Sequence, residues 1–283
     1  MTRLRKSVPD REFGQIEKRL ELAVNEGKRL VVLTDFDETV CSKYIYSQDE
    51  GINRPIIRED VAGEVKKAGS RMILATSRST REPVMNLEIL NMIGETSLPI
   101  ICENGAVIIR WIGKGWSERL VVEPDEVGEI NKIAELIEGA RDLVDKEMEV
   151  KIKKNKAATV ELRVHDREGR GVGAYYDKIA QWVLEQVDSS KVDVCSSGSS
   201  ISFQPKNTSK GRAFEKLCQL EGWNREEMFV VGIGDAANDK GIFEVADLSV
   251  GVRPATKKVA EFMIDGGDET FIRVIKTVNR LGC

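Results

Sequence analysis

The chain has 283 residues, more than a simple single domain needs and enough for one core domain carrying an inserted module. Hydrophobic residues make up 41%, sufficient for a sizeable core, and 43 Lys and Arg against 47 Asp and Glu leave a formal charge of −4. With no long basic run and no stretch suited to a secretory signal or membrane span, the composition argues against nucleic-acid and membrane binding, and a cytoplasmic protein is expected.

In chain order, Phe13, Ile16, Leu20 and Ala23 recur at helical spacing between a Ser7-x-x-Asp10 start and a Gly27 stop, predicting an amphipathic packing helix. Leu30-Val31-Val32-Leu33 is an apolar, β-branched run typical of buried parallel strands, and it leads into Asp35-Phe36-Asp37-Glu38-Thr39. A flap over 41–54 follows, then a helix near 60–68 and the strand Met72-Ile73-Leu74-Ala75, which ends in Thr76-Ser77-Arg78. A further apolar strand over 98–102 runs into Glu103-Asn104-Gly105-Ala106. This alternation predicts βαβ units and a parallel sheet.

The middle of the chain reads differently. Segments 106–111 and 118–122 flank Gly113-Lys114-Gly115 and predict a β-hairpin. A helix over 125–144, strands at 148–153 and 159–164, a helix over 173–187 and strands at 192–194 and 200–203 complete an α+β module. Its candidate substrate contacts are Lys153, Lys154, Arg163, His165 and the hydroxyl-rich run Ser196-Ser197-Gly198-Ser199-Ser200. After Pro205, Thr208 or Ser209 can cap a helix that starts at Lys210 and stops at Gly222. Met228-Phe229-Val230-Val231 is a second buried strand, leading to Gly234-Asp235-Ala236-Ala237-Asn238-Asp239. Val250-Gly251-Val252 and a helix over 270–281 close the chain. The expected division is core 1–105, inserted module 106–204 and core 205–283.

The five cysteines, Cys41, Cys102, Cys195, Cys218 and Cys283, are scattered and never form C-x-x-C, which predicts reduced thiols. Cys41 is expected to be a packed neutral thiol despite its position beside the first acidic segment.

Strands that end in acids deliver them to the carboxyl edge of an open α/β sheet, where such folds bind ligands. Asp35, Asp37, Asp235 and Asp239 around a phosphate dianion would repel it unless a hard cation such as Mg²⁺ stood between them. Lys210 adds a compact positive charge and Thr76 a hydroxyl donor, the parts phosphoryl transfer needs, since its catalysis is mostly positioning and charge neutralisation.

These segments resemble the four signature motifs of the haloacid dehalogenase superfamily, specifically its phosphatases. The resemblance implies a doubly wound α/β core with an inserted α+β cap of the C2 type, as in sugar phosphatases and Cof-type phosphatases. It implies that Asp35 is the nucleophile of an aspartyl-phosphate mechanism and that Asp37 is general acid, then base. It further implies that Asp235, Asp35 and the Asp37 carbonyl bind Mg²⁺, with Asn238 and Asp239 completing the acidic loop. Arg78, Asn104, Arg163 and Ser199 are the candidate substrate contacts. Glu38 stands where most of these phosphatases have Gly, and Thr76-Ser77-Arg78 replaces the usual Thr-Gly-Arg. The expected substrate is a small phosphorylated metabolite, most simply a sugar or sugar-acid phosphate. A phosphosugar mutase and a catalytically silent phosphate-binding protein are the alternatives.

Overall fold

The computed structural model describes residues 10–47, 52–80, 99–111, 116–153, 156–166, 168, 170, 172–197 and 200–282. The first part contains α1 (Asp10–Asn25), β1 (Arg29–Thr34), β2 (Tyr44–Ser47), β3 (Ile52–Pro55), α2 (Glu59–Ala68), β4 (Met72–Leu74) and β5 (Ile100–Cys102). The middle contains β6 (Val107–Trp111), β7 (Trp116–Leu120), α3 (Pro124–Leu136), β8 (Glu149–Lys153), β9 (Val160–His165), α4 (Tyr176–Leu184), β10 (Val192–Ser197) and β11 (Ser200–Pro205). The last part contains α5 (Lys210–Glu221), β12 (Met228–Gly234), α6 (Lys240–Val245), β13 (Leu248–Gly251), β14 (Phe262–Met263) and α7 (Asp268–Leu281).

The central sheet runs β14-β13-β12-β1-β4, and every pairing in it is parallel. Its strands read as continuous apolar runs because both faces are covered. On β1, Leu30 and Val32 pack into a cluster with Phe13, Ile16, Val61, Val65, Phe271 and Val274 of α1, α2 and α7. Val31 and Leu33 point the other way, against Phe214 and Leu217 of α5 and Ile242 of α6. The predicted α1 stripe of Phe13, Ile16, Leu20 and Ala23 is buried, whereas Ser7 of its expected start lies outside the described residues.

The order of the sheet places the site. From β1 the chain steps outward to β4, and it returns at β12 on the other side of β1. Thr34 therefore lies opposite both Leu74 and Ile233. This is a topological switch point, and the carboxyl ends of β1, β4 and β12 open side by side onto one crevice.

The hairpin of β6 and β7, expected to open the inserted module, belongs instead with the core. A parallel bridge between Ala75 and Ile101 joins β4 to β5, and β6 and β7 add to β5 antiparallel. Val107 and Ile109 enter one core cluster and Ile108 the other. A hairpin's pattern shows that two segments pair with each other but is silent on which sheet they join. The separate module starts at α3. Its antiparallel sheet, β10-β11-β9-β8, is covered on one face by α3 and α4 through Ile130, Ile133, Leu162, Ile179, Val183 and Phe203.

Candidate active site

Lys210 opens α5, whose N-cap is Ser209, with its hydroxyl accepting from the Arg212 N–H at 3.2 Å. Two glycines let this helix start meet the acidic loop. A Cβ on Gly211 would fall 1.9 Å from the Gly241 carbonyl oxygen, and one on Gly234 would fall 2.5 Å from the Asp239 Cβ. Lys210 and Asp239 can therefore approach without backbone obstruction. The Lys210 ammonium, 0% exposed, donates to Asp35 Oδ1 at 2.5 Å and to Asp239 Oδ1 at 2.7 Å. Burial opposes the charge on Lys210, but Asp239 and Asp35 outweigh it and hold the amine protonated. Burial pushes the Asp35 carboxyl well up, Lys210 pulls it down, and Asp239, Asp235 and Asp37 push it up again.

Asp239 has little capacity left. Its second oxygen accepts the Asp235 and Ala236 N–H groups at 2.9 and 3.1 Å, so both oxygens are engaged in holding the loop and Lys210. Asn238, beside it, is exposed. Asp235 differs. Among the described residues its carboxylate has no hydrogen-bond partner, and burial, then Asp239, push its carboxyl up to about 7 against the pull of Lys210. Oxygens of Asp35, Asp235 and Asp239 lie within 4.8 Å of one another. Three crowded carboxylates, one of them without a partner, suit a hard divalent cation that takes oxygen ligands.

The Asp37 side chain is one-third exposed. Arg78, a candidate phosphate contact by sequence, grips this carboxylate here: Nη2 donates to Oδ1 at 2.6 Å, and Nε to Oδ2 at 3.0 Å. The Tyr44 hydroxyl lies 3.0 Å from Asp37 Oδ1. Thr76 is buried, and its hydroxyl oxygen accepts the Arg78 N–H at 3.1 Å. Glu38 adopts φ +57°, the left-handed conformation that explains why glycine suits this turn. Its carboxylate accepts from Arg253 Nη2 at 2.9 Å. Cys41 is buried, and burial pushes its thiol up to about 11, as expected of a packed neutral cysteine.

On the side of the inserted module, Asn104 adopts φ +56° and donates from Nδ2 to Gln204 Oε1 at 3.3 Å, while its own Oδ1 is buried without a partner among the described residues. Glu103, fully buried, accepts the Ala157 and Ala158 N–H groups at 2.8 and 2.9 Å. Lys156 donates to the Ser77 carbonyl at 3.2 Å and pairs with Glu161 at 3.1 Å. Arg163 pairs with the same Glu161 at 2.7 Å. Ser199 lies outside the described residues, as do Lys154 and the Gly113-Lys114-Gly115 turn. Sequence reasoning missed Tyr44, Glu103, Lys156 and Glu161. Glu103 adjoins the Asn-Gly-Ala that drew notice, but no local pattern marks Tyr44 or Lys156.

Residues 172–264 match the family model of haloacid dehalogenase-like hydrolases. The sequence similarity to haloacid dehalogenase-like hydrolases is confined to this segment. The C-terminal domain of trehalose-6-phosphate phosphatase from C. albicans superposes with a TM-score of 0.63 at 16% identity, covering 94% of this chain and 96% of that one. Trehalose-6-phosphate phosphatase from Aspergillus fumigatus gives 0.61 at 18% identity, over 93% and 97%. The sucrose-phosphatase of Synechocystis, solved with sucrose and phosphate, gives 0.57 at 16% identity, over 89% and 98%. At these identities the likeness is one of fold. Curated protein sequences gave no match. Among the described residues, no helix is long and apolar enough to cross a membrane.

Proposed function

We propose that this chain is a Mg²⁺-dependent phosphatase that hydrolyses a small phosphorylated metabolite, a sugar or sugar-acid phosphate, through an aspartyl-phosphate on Asp35. The observation that carries the reading is the buried Asp35–Lys210–Asp239 ion cluster at the switch point, beside an Asp235 carboxylate without a partner. Asp35, Asp235 and the Asp37 carbonyl would hold Mg²⁺, which when bound neutralises the phosphate dianion and the nucleophile that must approach it.

Lys210 fixes Asp35 by one oxygen, and the other has no hydrogen-bond partner among the described residues. That oxygen attacks phosphorus while Asp37 gives a proton to the departing ester oxygen. Water then enters, Asp37 takes its proton, and the acyl-phosphate bond breaks to return Asp35 and inorganic phosphate. Thr76 and the amides of its loop lie at the same edge to donate to phosphate oxygens. The module from about residue 123 to 204 serves as the cap, with Asn104, Gln204 and Arg163 facing the substrate's non-reacting end. The structures of similar fold that act on trehalose 6-phosphate and sucrose phosphate support a sugar in that position.

The test is release of inorganic phosphate from a panel of phosphorylated sugars, sugar acids, nucleotides and cofactors, with Mg²⁺ and with chelator. Chelator should abolish turnover. Asp35→Asn should fold and turn over nothing, because an amide can neither attack phosphorus nor bring a charge to the cation. Near wild-type activity in that variant would end the covalent reading.

A further inference from the structure

We infer that Tyr44 is a positioning residue for the acid–base carboxylate of Asp37, an inference that rests on the phosphatase reading above. Tyr44 begins the flap strand β2, and its ring packs against the core cluster behind β1. Its hydroxyl oxygen accepts the Glu38 N–H at 3.2 Å, which places it over the turn that carries Asp37. Its single proton has two acceptors within reach: Asp37 Oδ1 at 3.0 Å and the Cys41 carbonyl at 2.9 Å.

The arrangement divides the two oxygens of Asp37. Oδ1 receives both Tyr44 and the Arg78 Nη2, whereas Oδ2 receives one close bond, from Arg78 Nε. Oδ2 is thus the oxygen left with capacity for the ester oxygen and for water. The second acceptor matters because a carboxylate that cycles a proton changes what it needs from its neighbours. When Asp37 is ionised, Tyr44 donates to it. When Asp37 carries the proton, the hydroxyl turns to Cys41 and no heavy atom has to move. A phenol needed only to hold the turn would be satisfied by Cys41 and Glu38 alone.

The experiment is Tyr44→Phe, which keeps the ring and removes the hydroxyl, assayed with Mg²⁺ on a series of monoesters from p-nitrophenyl phosphate to glycerol 1-phosphate. For glycerol 1-phosphate, whose leaving oxygen needs a proton, kcat should fall about tenfold, the scale of one hydrogen bond to a charged group, with KM unchanged. For p-nitrophenyl phosphate, whose leaving group departs unaided, the fall should be less than about twofold. In an Asp37→Asn background, adding Tyr44→Phe should change neither rate further. Equal losses on both esters, or a loss that persists in the Asp37→Asn background, would show that Tyr44 serves the fold and overturn the inference. A wild-type protein that releases phosphate from no ester of the series removes the phosphatase reading, and the inference with it.

Discussion

Lys210 is the residue on which the site is balanced. An ammonium with no exposure costs several kcal/mol to desolvate, and the carboxylates of Asp35 and Asp239 offset that cost only while both partners are present. Lys210→Met would leave two buried carboxylates facing each other without a cation. It should destabilise the fold by about 3–5 kcal/mol in urea unfolding as well as abolish turnover. Wild-type stability in that variant would mean that the cluster contributes nothing to folding.

Asp235 makes the opposite case. Its carboxyl is raised from 3.8 to about 7 in the metal-free protein, so it favours the folded state in its protonated form. The sign follows: its contribution is fully present below pH 3.8 and is lost as the pH rises through about 7. Asp235→Asn should therefore raise the Tm of metal-free protein more at pH 8 than at pH 5, by at least ~2 °C, and saturating Mg²⁺ should reverse the order by stabilising only the wild type. A gap independent of pH would argue against a strained carboxylate at this position. The acids Asp35 and Asp235 were legible in the sequence because each stands directly after a buried apolar strand. Tyr44 was not, because its contact with Asp37 depends on how the turn through Glu38 folds back.

At the level of elements, glycines separate helix economy from site construction. Gly14 lies within α1, where a methyl group would meet nothing within 4 Å. Gly14→Ala should stabilise the protein by about 0.5–1 kcal/mol through helix propensity. Gly234→Ala should do the reverse and lower activity, since its methyl would collide with Asp239 and displace it from Lys210. Melting curves and phosphate release on the two variants check both statements, and similar behaviour in the two would undo the argument. The strands of the parallel sheet were legible because burial on both faces leaves continuous apolar runs such as Leu30 to Leu33. The fate of β6 and β7 was not, because the Ala75–Ile101 bridge that draws β5 and its hairpin onto the core is a tertiary contact.

For the molecule as a whole, division into a parallel core and an α+β module was readable from the change in rhythm after the strand over 98–102. The seam between them was not, because it is made by single residues. Glu103 holds the amides of Ala157 and Ala158, and Lys156 holds the carbonyl of Ser77, so three successive cap residues grip the core beside Thr76. Glu103→Gln replaces an acceptor with an N–H facing one of those amides. It should cost about 1–3 kcal/mol and speed hydrogen exchange at Ala157 and Ala158, whereas unchanged exchange would show the grip to be incidental.

Under the phosphatase proposal, that grip would make the cap a lever with its fulcrum at residues 156–158, beside Ser77 and Thr76. A rotation there would displace Lys156 least and the far ends of β8 and β10 most. The short arm would then stay in register with the reacting bond, and the long arm would meet whatever the phosphate is attached to.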